Sequence, residues 1–489
     1  MPVGRAGFRP PTQGAPLKKY LIAAAATLLA ASAFAQTEPF GSFKRPFTAD
    51  SPWNIRPIGP VFGAFVIPTE SSGNYGAVAG GTFSTTAFLA KPEDPPMIVA
   101  LVKVKNGDTD PDARESPTSV TIPRWPATAA PATGSDGHAE IFDPVTGRIH
   151  SFWQLRLVNG KWTAAMHAWS AVNGRGWGDP SHLKQGARAA GVSTIGGLIR
   201  AHEINDGQSS YQHALAMALS LKSLAANPAY VYPATSADFD AYKDNKGEIP
   251  EGALMMLPQD FVLNNANPTL QKVVNTLKTY GARVVDRNTL TPFSIYVENG
   301  GAWPLYSGSN LTPVYQSMEQ IRLALRQVIS ASSYVDGNGN PTTANVPGNF
   351  NILSMRGPWK IEKPAGGTLG RFNTFTQSVE FPSNPAQVEQ SNGNGTGIAG
   401  GESTSANAVG VSWGRPVAGA TYAVTAIGSG GASVRVVLWK GGAVASDSGY
   451  LSNGQTAQVT WPSSGGWTTI YTRSAPNQAG SIRATMIKQ

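Results

Sequence analysis

Cysteine is absent from the 489-residue chain, and its absence excludes several kinds of chemistry. Without thiols there can be no disulfide, no cysteine nucleophile and no thiolate metal site, so packed cores must supply the stability. The chain also lacks an HExxH motif, a Walker motif and a dinucleotide-binding motif. We therefore predict no cofactor and assign no metal ligands, although His and acid side chains of the histidine-containing region could still gather three ligands, so a metal site stays open as a third alternative.

Charged residues are scarce at 14%, whereas the chain holds 54 Gly, 37 Pro and 12 Trp. This composition favours many turns and short strands over long helices. The net charge of +8 includes four basic residues among the first 35 positions, which carry no acid, so the remaining chain has 34 basic and 30 acidic residues. That small excess does not indicate a nucleic-acid partner, and it is compatible with a glycan partner.

The N-terminus has the pattern of a secretory signal. Lys18 and Lys19 precede the apolar run LIAAAATLLAASAFAQ, which is too short to span a bilayer permanently. Small residues at Ala33 and Ala35 mark a cleavage site after residue 35. We therefore predict a signal peptide over residues 1–35 and a secreted protein, extracellular or periplasmic, that is monomeric and has no membrane attachment after cleavage.

The rest of the chain divides by composition into two predicted domains and a linker. Residues 384–408, rich in Gly, Asn, Ser and Thr, predict a linker. Residues 36–383 predict a mainly β catalytic domain, jelly-roll or sandwich-like, with a few helices. The helical pattern is clearest in PTLQKVVNTLKTYG and YQSMEQIRLALRQVIS, and the run ALAMALS also suggests a helix.

Residues 409–489 contain short alternating segments separated by Gly, Ser and Asn turns, the pattern of a small antiparallel β-sandwich. The segments are TYAVTAI, SVRVVLW, TAQVTW, WTTIYT and SIRATMI. Trp413, Trp439, Trp461 and Trp467 occupy this region, where flat aromatics serve either as core or as sugar platforms. A linker followed by such a sandwich resembles the accessory carbohydrate-binding modules of polysaccharide-degrading enzymes. The resemblance implies a glycan partner.

All six histidines fall between residues 138 and 213. Histidine titrates near neutral pH and is a common general base, so this concentration suggests a functional site. A non-catalytic protein would instead have its histidines dispersed in space. The six are His138, His150, His167, His182, His202 and His213.

The stretch SDGHAEIFD places Asp136, His138 and Glu140 at every second position. As a strand it would present all three side chains on one face. The following PVTG and RIHSFWQLR predict a hairpin in which Glu140 faces Ser151 and His138 faces Trp153. A change of register by one residue would place His150 and Gln154 beside the acids instead.

This row fits glycoside hydrolysis, which uses a pair of carboxyl groups. We predict Asp136, His138 and Glu140 as catalytic residues, with Glu203 as an additional carboxylate. Trp153 serves as a sugar platform. The row resembles the acidic strand of laminarinase-type jelly-roll glycosidases, where alternating carboxylates carry out catalysis, although histidine stands at its centre here.

The alternative chemistry is β-elimination from a uronic acid polysaccharide. It needs a Tyr or His base and a group that neutralises the substrate carboxylate. The segment GGLIRAHEINDGQSSYQHALAMAL supplies Arg200 as neutraliser, Tyr211 as acid and His213, or else His138, as base. The same segment fits an ordinary loop before a helix.

Two further residues complete the predicted site. Gln154 on the hairpin and Trp177 in the glycine-rich stretch NGRGWGDP are expected to contact substrate.

The succession SPWN, SDGHAEIFDP, SFWQ, GLIRAHEI, VYPAT, EIPEGA and YGARVVD resembles that of a family of secreted bacterial proteins, which implies one intact extracellular domain. A non-catalytic extracellular glycan-binding protein is the alternative to an enzyme.

Overall fold

The computed structural model describes residues 38–71, 73–102, 119–178, 184–264, 267–346, 350–355, 357–374, 377–392 and 412–489. The predicted signal peptide, His182 and most of the predicted linker lie outside these residues. Residues 39–489 form one compact unit.

The protein is mainly β, with 37% of its residues in strands and 9% in helices, which confirms the predicted fold class. The first strands in chain order are β1 (Arg56–Phe62), β2 (Ala77–Ala79), β3 (Ala87–Leu89), β4 (Met97–Leu101), β5 (Ser119–Ile122), β6 (Ala139–Asp143), β7 (Arg148–Trp153), β8 (Arg156–Val158), β9 (Lys161–Ala164), β10 (Met166–Ala171), β11 (Leu215–Ser220), β12 (Leu254–Met256), β13 (Ala282–Asn288) and β14 (Phe293–Tyr296). They are followed by β15 (Arg326–Val335), β16 (Pro341–Thr342), β17 (Gly357–Glu362), β18 (Thr368–Thr374), β19 (Val379–Phe381), β20 (Glu389–Ser391), β21 (Thr421–Gly428), β22 (Ser433–Lys440), β23 (Ala443–Asp447), β24 (Leu451–Ser452), β25 (Thr456–Thr460), β26 (Trp467–Arg473) and β27 (Gly480–Lys488).

The described α-helices are α1 (Ala241–Asp244), α2 (Pro268–Thr279) and α3 (Thr312–Ala324). Helix α2 confirms the prediction: the Asn267 side chain caps its first turn, and its apolar stripe is buried. Helix α3 is only partly as predicted. The predicted helical segment runs past Ala324, where α3 ends. Leu325 has an extended backbone conformation, so the residues after it form β15 instead.

A mixed eight-stranded sheet forms the centre of the main region, in the order β1-β15-β12-β13-β11-β14-β2, with β16 on β15. Strand β11 is parallel to β13 and antiparallel to β14. It corresponds to the run ALAMALS, so the helix suggested there is wrong. All six residues of β11 are buried, and a strand covered on both faces has an unbroken apolar sequence rather than an alternating one.

A smaller sheet beside the central one carries the predicted hairpin, in the order β10-β7-β6-β3. Strands β6 and β7 pair as expected, with Asp143 opposite Arg148 and Glu140 opposite Ser151. A further four-stranded sheet, β5-β4-β9-β8, packs with it around a separate apolar cluster that includes Trp125, Ile141 and Phe152.

The C-terminal region is a two-sheet β-sandwich, but it begins earlier than predicted. One sheet runs β18-β17-β20-β26-β22-β23 with β24 on β22, and the other runs β19-β27-β21-β25. Strands β17, β18 and β19 therefore belong to the sandwich rather than to the predicted domain 36–383. Strand β20 lies inside the predicted linker 384–408 and pairs with both β17 and β26. Its polar sequence, EQS, has no apolar alternation that would mark it as a strand.

The sandwich packs directly on the main region. Trp413 donates from its indole nitrogen to the Ala234 carbonyl oxygen at 2.5 Å. Its ring also contacts Tyr232 and Phe350 at centroid distances of 5.0 and 4.9 Å. Among the helices in the described ranges, none has the length and apolar character needed to cross a membrane.

Replacing Trp359 by alanine should lower the free energy of unfolding by about 3 to 5 kcal/mol, because Trp359 fills the sandwich core. Its ring is stacked on Phe372, and its indole nitrogen donates to the Met355 carbonyl at 2.9 Å. Urea denaturation would measure the loss. Leu369→Ala on the adjacent β18 is the control, since Leu369 is exposed and its loss should cost less than about 0.5 kcal/mol. Equal effects would show that β17 does not contribute to this core.

Candidate functional site

The predicted row Asp136, His138 and Glu140 does not lie on one strand face. Strand β6 starts at Ala139, and Asp136 lies in the preceding turn. Gly137 has a φ of 45°, a backbone conformation that breaks the alternation, and a Cβ there would meet the guanidinium of Arg156. The turn therefore directs Asp136 separately from Glu140.

Glu140 is a buried anchor rather than a solvent-facing catalytic acid. It is 3% exposed, and its carboxylate accepts hydrogen bonds from the backbone N–H groups of Thr194 and Ile195, both at 2.8 Å. The hydroxyls of Ser151, Ser193 and Thr194 donate to it as well. Burial raises its pKa, and these donors oppose that shift. The carboxylate holds the short 3-10 helix at Thr194–Gly196 against the hairpin.

His138, His150 and His167 are buried. Burial first, and then the positive charge of Arg188, hold the pKa of His138 well below its ordinary value. The His150 Nδ1 lies 3.1 Å from His167 Nε2, and burial lowers the pKa of His150 to about 4. His202, in contrast, is exposed. The histidines thus occupy several different environments, as the non-catalytic alternative predicts, so their concentration in the sequence does not mark one shared site.

Glu203 and His213 form an ion pair with a separation of 3.2 Å. The other ring nitrogen of His213 lies 2.9 Å from the Ala214 carbonyl oxygen, so both nitrogens face acceptors and the ring is held as the cation. Burial alone would lower the pKa of His213, but Glu203 outweighs it and raises that pKa. Burial alone would raise the pKa of Glu203, but the charge of His213 outweighs it and lowers that pKa.

Arg200 and Tyr211 are not available for the roles that elimination would require. The Arg200 Nε donates to Glu298 at 3.0 Å, and a terminal nitrogen donates to the Phe43 carbonyl at 3.0 Å. Tyr211 is buried in the core of the central sheet, with the Lys272 ammonium 4.6 Å from its ring centre. Both side chains are structural.

The prediction that Trp177 contacts substrate is also wrong. Its ring is fully buried and stacks on Trp53 with centroids 5.3 Å apart. Its indole nitrogen donates to the Ala190 carbonyl at 3.2 Å. Trp153 and Gln154, at the end of β7, are half-buried and keep part of their surface accessible.

A buried arginine organises a second group of titratable residues that the sequence prediction missed. Arg188 donates to the Asp286 carboxylate at 2.9 Å, to the Tyr296 hydroxyl at 3.4 Å and to the Phe83 carbonyl at 3.1 Å. Its guanidinium also lies over the Tyr296 ring at 4.4 Å. Its charge acts on both His138 and Glu140, so these predicted residues lie in its neighbourhood.

Four carboxyl groups, which we call the acid cluster, interact electrostatically there: Asp136, Asp238, Glu251 and Asp286. Burial first, and then the charge of Asp286, raise the pKa of Asp238 to about 7. The fully buried Glu251 accepts the Asp238 backbone N–H at 3.1 Å, and burial with the charge of Asp238 raises its pKa well above the usual range. Asp136 adds to the negative field at Asp238 and Asp286.

Asp238 and Asp286 both combine a raised pKa with partial solvent access, but only Asp286 has each carboxylate oxygen held by a hydrogen-bond donor at 2.9 Å. The Asp238 side chain is 19% exposed, and one of its carboxylate oxygens lies 3.5 Å from Arg287. Phe239 and Tyr242, which follow it closely in the chain, are 65% and 72% exposed. In the sequence, the signal was the alternation of acids and aromatics in SADFDAYKD.

No protein-family model and no curated protein matches this chain. Its chemistry is therefore inferred from its own residues. Across the described ranges, no three His, Asp or Glu side chains are arranged to hold a metal ion.

A separate groove of about 430 Å³ is lined by Thr86, Thr133, Glu298, Asn299 and Trp303, together with small residues. It contains none of the predicted site residues. Glu298, the acid in it, is engaged by Arg200 and by the Ala201 backbone N–H at 2.9 Å. Among the residues that line it, the groove therefore provides a cavity but no acid that is uncommitted to other hydrogen bonds.

His213→Gln should reduce stability in a pH-dependent way. The raised pKa of His213 contributes stability that is full below about pH 6.5 and is lost as pH rises through the folded-state pKa. The lowered pKa of Glu203 contributes stability above about pH 4.5 that is lost at more acid pH. Denaturation at about pH 5.5 should therefore show a loss on the order of 1 to 2 kcal/mol, and a smaller one at about pH 8.5.

The matched control for this prediction is His202→Gln, since His202 is exposed. Its effect should be small at both pH values. A His213→Gln loss that did not change between the two pH values would contradict a charged pair.

Proposed function

We propose that the protein is a secreted polysaccharide-degrading enzyme that hydrolyses glycosidic bonds, with Asp238 as the general acid. The observation that carries this proposal is the state of the Asp238 carboxyl, which has a pKa raised to about 7, partial exposure and neighbouring acids. Secretion is part of the proposal and rests on the signal-like segment at residues 1–35.

Glycoside hydrolysis needs two carboxyl groups in different protonation states. A protonated one gives its proton to the leaving oxygen, while a charged one stabilises the developing cation or activates water. Asp238 suits the first role because burial and the charge of Asp286 keep it protonated up to neutral pH. A carboxylic acid at neutral pH is otherwise rare in a protein.

Asp136 suits the second role better than Asp286 does. Asp286 is held at one oxygen by Arg188 and at the other by the Arg287 backbone N–H, both at 2.9 Å. Asp136 is half-buried in a turn, where it accepts a long hydrogen bond of 3.4 Å from the Ser135 hydroxyl. Its carboxylate therefore keeps lone pairs for substrate or water, whereas Asp286 supplies the field that keeps Asp238 protonated.

The surroundings of Asp238 suit a sugar. Phe239 and Tyr242 offer exposed ring faces, and aromatic faces pack against the C–H groups of pyranose rings. Arg287 and Asp240, joined at 2.6 Å, present donors and acceptors for hydroxyl groups. Elimination from a uronic glycan has less support, because Arg200 and Tyr211 are committed to other contacts.

Asp238→Asn should lower the hydrolysis rate at least a hundredfold, since an amide cannot donate the proton. The assay is release of new reducing ends from a panel of neutral and uronic polysaccharides. Asp260→Asn, at an exposed aspartate, is the control and should keep full activity. Unsaturated ends, detected by their ultraviolet absorbance, would indicate elimination instead. Full activity in Asp238→Asn would rule out its role as the acid.

Asp286→Asn should shift the pH dependence of kcat/KM. In the wild-type protein activity should fall as pH rises through about 7, where Asp238 loses its proton. Removing the Asp286 charge lowers the pKa of Asp238, so this fall should move to more acid pH. An unchanged alkaline limb, with the fold intact by circular dichroism, would contradict the electrostatic coupling of Asp286 to the acid.

A further inference from the structure

The outer face of the larger sandwich sheet carries a row of aromatic side chains. On β22 and β26, residues such as Val436 and Ile470 are fully buried between the sheets. The alternating positions Trp439, Trp467 and Tyr471 are only half-buried. Because side chains alternate across a strand, these three rings lie on the face turned away from the core.

Trp439 and Trp467 form a preorganised pair at one end of this face. They are register partners on neighbouring strands, and their rings are nearly parallel, with an interplanar angle of 12° and centroids 6.5 Å apart. The Trp439 indole nitrogen donates to the Thr469 hydroxyl at 3.0 Å, which fixes the ring orientation. A ring that is already ordered loses little further entropy when it binds a ligand.

The aromatic row continues along β26. Tyr471 is four residues beyond Trp467 on the same face, roughly 13 Å along an extended strand. The Arg435 guanidinium lies 5.7 Å from the Tyr471 ring and 5.8 Å from the Tyr450 ring, and Arg473 lies over Tyr450 at 3.7 Å. The face is therefore a strip long enough for several sugar rings rather than a single pocket.

The charges on this strip are balanced. Arg435 makes two-point contact with Asp447, with 2.9 Å between the Arg435 Nε and one carboxylate oxygen. Arg473 pairs with Glu389 at 2.5 Å. Each arginine is thus neutralised, and an anionic chain lying here would also face two carboxylates. Paired donors and acceptors beside aromatic rings suit the hydroxyl groups of a neutral glycan.

We propose that this aromatic strip, formed by Trp439, Trp467, Tyr471 and the Arg435–Asp447 pair, binds a neutral polysaccharide. The identity of the ligand as a glycan rests on the proposed function. The strip would hold an insoluble or long substrate on the protein while taking no part in bond cleavage.

The test uses the full chain carrying Asp238→Asn, so that bound polysaccharide is not consumed. Binding to cellulose, chitin and the anionic control pectate is measured by co-sedimentation over a range of concentrations. We expect binding to a neutral polysaccharide, weakened about tenfold or more by Trp439→Ala and by Trp467→Ala. Trp439→Tyr, which keeps an aromatic ring, should retain part of the affinity.

Ile427→Ala is the control, because Ile427 is an exposed apolar residue on β21, in the other sheet of the sandwich, away from the strip. It should bind like the parent, and thermal unfolding of every variant would show that the sandwich is intact. Unchanged binding in both tryptophan variants, or binding to pectate alone that salt abolishes, would overturn the inference. So would the absence of binding to all three polysaccharides.

The inference and the proposed function can fail separately. With Asp238 restored, the two tryptophan variants should cleave soluble oligosaccharides at the parental rate and insoluble polysaccharide more slowly. If no variant cleaves any glycan but the parent still binds through Trp439 and Trp467, the hydrolase proposal fails and the binding strip stands. If the parent cleaves glycans but polysaccharide binding does not depend on Trp439 and Trp467, the hydrolase proposal stands and the binding strip fails.

Discussion

The Arg188 guanidinium is the interaction on which the candidate site depends. It is buried, so its charge must be compensated by groups brought to it, and Asp286, the Tyr296 hydroxyl and the Phe83 carbonyl supply that compensation. These groups come from distant parts of the chain. One cation thereby joins the end of β13, the end of β14 and the loop before the hairpin sheet, and it allows several acids to be buried nearby.

The acid cluster divides its carboxyl groups by environment. Arg188 donates to Asp286, burial raises the pKa of Glu251 well above its usual range, and burial together with the charge of Asp286 raises the pKa of Asp238 to about 7. Asp136, the fourth member of the cluster, is half-buried in a turn. Two carboxyls in opposite protonation states are what acid–base chemistry on a sugar needs, and the same electrostatics makes Asp286 a tuning residue rather than a reactant.

The local features of the fold could be predicted, whereas the roles of the site residues could not. Hairpin β6–β7 and helix α2 follow from turn residues and apolar spacing that act over a few positions. Glu140 and Trp177 carry no sequence mark that distinguishes a buried anchor or core ring from a substrate contact. Their roles depend on Thr194, Ile195 and Trp53, which only folding brings close.

By itself the sequence determined a mainly β protein, the stripe of α2 and the alternation in the last strands, because each depends on a local period of two or about 3.6 residues. It predicted the hairpin from its turn residues but left two registers open, and the structure decided between them. Tertiary structure decided which side chains are exposed. It buried Tyr211, left Trp439 on the surface and gathered Asp238 with Asp136 from a hundred residues away. Burial and charge coupling are properties of spatial neighbours, and no local pattern encodes them.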